Sequence, residues 1–199
     1  IFSSIEWKMR YAKNKEGNAY PWELFEAKVR KFQPLSARGL MGIACIVNFE
    51  RILYQASPEQ LTKEFVLSTA KAMSLKYFDR ETPSFFPLLP VHIYAWESAC
   101  SYHGYGIADL AVAQRRKYWY DKDGYIVDNV AVGPAMQEVW RLGSSKSLQE
   151  LVELATGKKL SSDAYIESVT RSVEDTLELA RKRIAKLEEI PAYIKPVEL

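Results

Sequence analysis

The chain has 199 residues, a net charge of +2, 48% hydrophobic residues and 26% charged ones. That length suits one sizeable domain and buries enough surface to fold without disulfide staples. The charge argues against a nucleic-acid or membrane-surface binder, and no run approaches the roughly 18 uncharged apolar residues of a membrane span.

Two cysteines, Cys45 and Cys100, make no disulfide framework. They point to a reducing compartment, the cytoplasm or alternatively the mitochondrion. The opening Ile1-Phe2-Ser3-Ser4 carries neither Met nor a basic leader, so the expectation is a fragment of something longer.

In chain order, Pro21 opens a helical pattern on Trp22, Leu24, Phe25, Val29 and Phe32, and Pro34 ends it. From Ser36 to Tyr54 apolar residues fall on nearly every side, which predicts a central, buried helix. Ser57-Pro58-Glu59-Gln60 reads as the next helix start, with Ser57 as cap and Gln60 completing a capping box. That helix is expected to run to about Tyr77. Residues 79–91 carry three prolines and form a connector that delivers the chain to His92.

A long helix is predicted from about Glu97 to Trp119, stopped by the turn Asp121-Lys122-Asp123-Gly124. Val127 to Trp140 reads as helical, with Gly133-Pro134 bending or restarting it. Ser147 to Thr156 is short, with Gly157 as its stop. A last helix starts at Ser162 or Asp163, carries Val169, Val173, Leu177, Ile184 and Leu187, and ends before Pro191. No segment alternates as a strand does, and no repeat or linker interrupts the chain. The reading is all-α, a single helical unit over residues 1–199.

Chemistry concentrates in residues 91–106, VHIYAWESACSYHGYG, which hold both histidines, Cys100 and four aromatic residues. A helix from Glu97 would place Cys100 and His103 on one face, with His92 further away. Zinc needs three or four ligands, and the chain has no HExxH and no CxxC, so no metal site is expected on it. No Gly-x-Ser-x-Gly elbow is present. Cys100 is expected as a plain buried residue. The run Gln114–Tyr120 mixes basic and aromatic residues, as nucleic-acid binders do. Bases near a helix C-terminus are favoured by the dipole anyway, so no nucleic-acid partner is expected. Tyr102 and Tyr105 share a helix face and His92 enters from the connector. Such a group can donate hydrogen bonds to a developing oxyanion, or can sit half-buried as packing.

The pattern His92-Ile93, Ala99, Tyr102, Tyr105 resembles the C-terminal motif of the thimet oligopeptidase, dipeptidyl carboxypeptidase and oligoendopeptidase F family of zinc metallopeptidases. There a His precedes a glycine-rich loop and a helix bearing several tyrosines. Tyr11 to Val29 is similar to the family's segment upstream. Gly143-Ser144-Ser145-Lys146-Ser147, Glu150-Leu151, Thr156-Gly157-Lys158 and Asp163-Ala164-Tyr165-Ile166 are similar to its ending. Order and gaps agree over roughly residues 1–168.

The resemblance implies the all-α, multi-helical C-terminal portion of a zincin-like oligopeptidase catalytic domain. It implies short peptide substrates, with Tyr102 and Tyr105 holding the tetrahedral intermediate and His92 contacting substrate. Trp96, Ser98 and His103 fall at further substrate-side positions. Family tyrosines are replaced at Ser98 and His103, and the glycine-rich loop becomes Tyr94-Ala95-Trp96-Glu97, which is stiffer and bulkier. The family's HExxH and its third-ligand glutamate lie upstream of the segment matching Tyr11. The expected partner is therefore a missing N-terminal part of the same enzyme, and the expected cofactor is zinc in the complete enzyme, none being bound by this chain alone. A catalytically inactive helical scaffold or interaction domain is the alternative, motivated by Trp96 and Glu97.

Overall fold

The computed structural model describes residues 4–79 and 86–193, apart from the Phe86 side chain. Ile1 to Ser3, and residues 80–85 of the expected connector, lie outside the described residues. The structure is all-helical, and among the described residues the only β-type pairing is an isolated antiparallel bridge between Lys13 and Ala19. Two compact units form: residues 36–109, and residues 1–35 together with 110–199. Composition marks neither crossing, because one falls inside a helix.

The unit spanning residues 36–109 is built on two helices that pack together, α3 (Arg38–Gln55) and α4 (Lys63–Phe78). Ile46, Phe49, Leu53, Ala70 and Ile93 form its core, with Phe65, Val66, Met73, Leu88 and Tyr102 partly buried against it. Ile46, Phe49, Glu50 and Leu53 recur at helical spacing, so α3 buries a stripe. Its whole circumference is not buried, as the sequence suggested: Met41 and Tyr54 remain exposed.

The start of α4 also differs. Ser57 to Leu61 form a turn, in which the Ser57 N–H donates to Gln60 Oε1 at 2.8 Å. The helix begins only after Thr62, whose hydroxyl accepts from Phe65 N at 3.2 Å. Both positions carry cap chemistry, and the second one wins. Residues 86–88, 91–94 and 96–98 form short 3-10 turns.

The last helix of that unit, α5 (His103–Asp123), begins several residues later than the expected Glu97. Cys100 is the reason, because its φ of 57° is left-handed and interrupts any helix through it. Residues His103–Asp109 of α5 belong to this unit.

In the other unit, Ser4 caps α1 (Ile5–Tyr11) and α2 follows Pro21 (Trp22–Phe32). Both pack against α9 (Val173–Glu188). Arg10 pairs with Asp128 and donates to the Leu187 and Ile190 carbonyls, and Tyr11 donates to Asp128 at 2.7 Å. The carbonyls left over at the end of α9 thus find a cation. α5 ends at Asp123, with Gly124 at φ 80°.

The helix expected over 127–140 is shorter, because α6 is Val132–Trp140. Pro134 sits in its first turn, where its missing N–H costs nothing, so it starts the helix and does not bend it. α7 (Leu148–Thr156) carries a full capping box between Ser147 and Glu150 and stops at Gly157. The backbone and side chain of Ser147, then Lys146, hold the Glu150 carboxyl down to about 2. The expected single last helix is two, α8 (Asp163–Thr170) and α9, because the chain extends at Arg171 and Ser172 re-caps it.

Candidate functional site

The site sits in the unit spanning 36–109 and is built from a turn and a helix start. Ile93 is fully buried in the core, which pins the 3-10 turn Val91–Tyr94. Its carbonyl accepts from the Tyr54 hydroxyl at 2.9 Å. Next to it, His92 is exposed. On the far side of the 96–98 turn, Tyr102 immediately precedes α5, and Tyr105 lies in its first turn, its N–H donating to the Tyr102 carbonyl at 3.2 Å.

Three rings meet here. His92 stacks on Tyr102 with centroids 5.5 Å apart, meets Tyr105 edge-on at 6.1 Å, and the two tyrosine rings lie 4.9 Å apart. These are ordinary favourable aromatic distances. Tyr102 is half-buried, and burial followed by the neighbouring Tyr105 raises its phenol above the ordinary value. Like any phenol, it is a hydroxyl and a hydrogen-bond donor at neutral pH. Among the described residues no hydrogen bond engages the Tyr102 or Tyr105 hydroxyl.

The other expected site residues stand apart from this group. Trp96 is 94% exposed on its own 3-10 turn. Ser98 is half-buried, and its carbonyl accepts from Ser101 Oγ at 2.6 Å. His103 is the exposed first residue of α5. Cys100 is exposed, not the packing residue expected, since its left-handed turn carries the side chain outward. It precedes α5, so Cys100 and His103 do not share a helical face as the sequence suggested.

Among the described residues no three His, Cys, Asp or Glu side chains gather into a set able to hold a metal ion. The described residues do not fit a zinc ion. No described helix is long and apolar enough to cross a membrane.

The basic and aromatic run at 114–120 lies in the other unit, where several of its side chains are engaged. Gln114 and Trp119 are buried, Lys117 pairs with Asp121 and Glu167, and Tyr120 donates to Glu6 at 2.6 Å. Sequence reasoning missed Tyr54, because a bond across 39 positions leaves no periodic trace.

Compared with family models, curated proteins and solved structures, the chain matches none of them. The family resemblance therefore rests on the quoted motifs.

Proposed function

We propose that this chain is the C-terminal part of the catalytic domain of a zinc-dependent oligopeptidase that hydrolyses short peptides. The observation that carries the reading is the convergence of His92, Tyr102 and Tyr105, three residues that the motif singles out, into one ring cluster on the surface of its unit. The all-helical architecture is consistent with it.

In this reading the cluster is the substrate-side wall of a peptide cleft. The Tyr102 hydroxyl, protonated at neutral pH as any phenol is, donates to the carbonyl oxygen of the scissile peptide as negative charge develops there. Tyr105 supplies a second donor from the same face, and the exposed imidazole of His92 binds the substrate backbone. Metal and general base belong to the upstream part of the enzyme that the resemblance implies.

A second reading is favoured by one observation. Trp96, Val91 and Leu89 are 94%, 75% and 67% exposed within a few residues of one another. Large bare apolar side chains suit a protein contact, and an inactive scaffold descended from such a peptidase would use them so.

The two readings separate in one experiment. The full-length protein is incubated with zinc and an internally quenched short peptide, and fluorescence release is followed. Steady hydrolysis abolished by a chelator is the expected result. No hydrolysis by a folded, zinc-supplied full-length protein overturns the peptidase reading in favour of the scaffold.

A further inference from the structure

We infer that Tyr54 is a positioning residue for the His92–Tyr102–Tyr105 cluster, its hydroxyl fixing the turn that presents the imidazole. The functional side of this inference rests on the peptidase reading above.

Among the described residues the His92 side chain meets its neighbours through ring contacts, so its place is set by the backbone of residues 91–94. Local bonds close that turn: Ile93 N donates to the Pro90 carbonyl at 3.1 Å and Ala95 N to the His92 carbonyl at 3.0 Å. They shape it without tying it to the helices. Two ties do that. The Ile93 side chain is buried among Ile46, Phe49, Leu53 and Ala70, and the Ile93 carbonyl accepts from Tyr54 Oη at 2.9 Å.

Apolar burial is non-directional and resists withdrawal more than rotation. A hydrogen bond is directional and fixes the plane of the peptide it engages. That peptide follows His92 by one residue. Leu53 and Tyr54 are adjacent on α3, so both ties spring from the same helical turn. Tyr102 packs against the same cluster, so α3 carries a common reference for both sides of the ring contact.

The test uses Tyr54→Phe in the full-length protein, which removes one hydroxyl and keeps the ring. Tyr77→Phe is the control, because Tyr77 accepts from Asn48 at 2.7 Å on the same helix pair. The first readout is NMR of histidine-labelled protein. The His92 signals are identified as those lost in a His92→Gln reference. Tyr54→Phe is expected to weaken the cross-peaks between the His92 ring and the Tyr102 and Tyr105 rings, and Tyr77→Phe to leave them intact. The second readout is peptide hydrolysis, where Tyr54→Phe is expected to lower kcat about tenfold through misplacement, with KM nearly unchanged. Unchanged cross-peaks in Tyr54→Phe, or equal loss in Tyr77→Phe, overturns the positioning role. Weakened cross-peaks in Tyr54→Phe together with no hydrolysis by the folded, zinc-supplied unsubstituted protein uphold that role and overturn the peptidase reading, so the two fail separately.

Discussion

Gln114 offers the sharpest test of how the larger unit is held together. It is buried on α5 and faces the chain that leaves α7. Its amide nitrogen lies 3.1 Å from Thr156 Oγ1, 3.2 Å from the Lys158 carbonyl and 3.1 Å from the Lys159 carbonyl. Its carbonyl oxygen accepts from Ser161 N at 2.9 Å. Two N–H donors facing three acceptors make at most two full bonds, so the side chain contributes three in all.

Gln114→Met keeps most of the volume and removes all three. At about 1 kcal/mol net per bond the loss is about 3 kcal/mol, larger if the carbonyls stay dry. Urea unfolding with an unchanged slope measures it. Hydrogen exchange at the Ser161 amide shows the local part, protected in the native chain and fast in the variant. A cost within about 0.5 kcal/mol, the range of an ordinary surface substitution, with Ser161 still protected, refutes the reasoning.

Gln114→Glu adds a sign. A carboxylate facing carbonyls has its folded pKa raised above the unfolded value of about 4.3. Its deficit is therefore smallest below that value and grows as pH rises through the folded one.

Tyr120 is half-buried, donates to the buried Glu6 at 2.6 Å and has the Arg183 guanidinium 3.5 Å from its ring centroid. Burial, then Glu6, pushes its phenol up to about 12. Spectroscopic titration is expected to show one tyrosine ionising well after the rest. The stability it contributes is whole below pH about 10, the unfolded value, and is lost toward 12. Tyr120→Phe is expected to cost about 1–3 kcal/mol, because the Glu6 carboxylate is left short of a donor, and thermal unfolding measures it. The two thiols are expected to react at different rates with a disulfide reagent: exposed Cys100 at once, and buried Cys45, raised by burial to about 11, only on unfolding. Equal rates in the native protein contradict that.

What was legible in the sequence is what local chemistry decides. The short helix starting at Ser147, the glycine stops at Gly124 and Gly157 and the helix after Pro21 all depend on neighbours within four residues. Local chemistry also misled where two solutions compete. Ser57 and Thr62 both suit a helix start, and Ser172 could sit inside a helix or re-cap one. The left-handed Cys100 carries no signature in its residue type, since Gly, Asn or Asp would be usual there.

Long-range pairings were invisible. Arg10 with Asp128, Gln114 with Ser161 and Tyr54 with Ile93 join positions that no periodicity relates. Tyr102 and Tyr105 were expected to share a helix face, but Tyr102 precedes α5, and the turn closed by the Tyr105 N–H on the Tyr102 carbonyl brings the rings together instead. That His92 closes on both follows from Ile93, an apolar residue that looks ordinary in the sequence and sets the turn by being buried.

In the proposed mechanism Tyr102 donates to charge that develops during peptide hydrolysis. Steady-state kinetics of Tyr102→Phe in the full-length protein, with a quenched short peptide, tests it most directly. A donor that acts on the transition state predicts a fall of about 10²-fold in kcat with KM little changed. An unchanged kcat contradicts the claim.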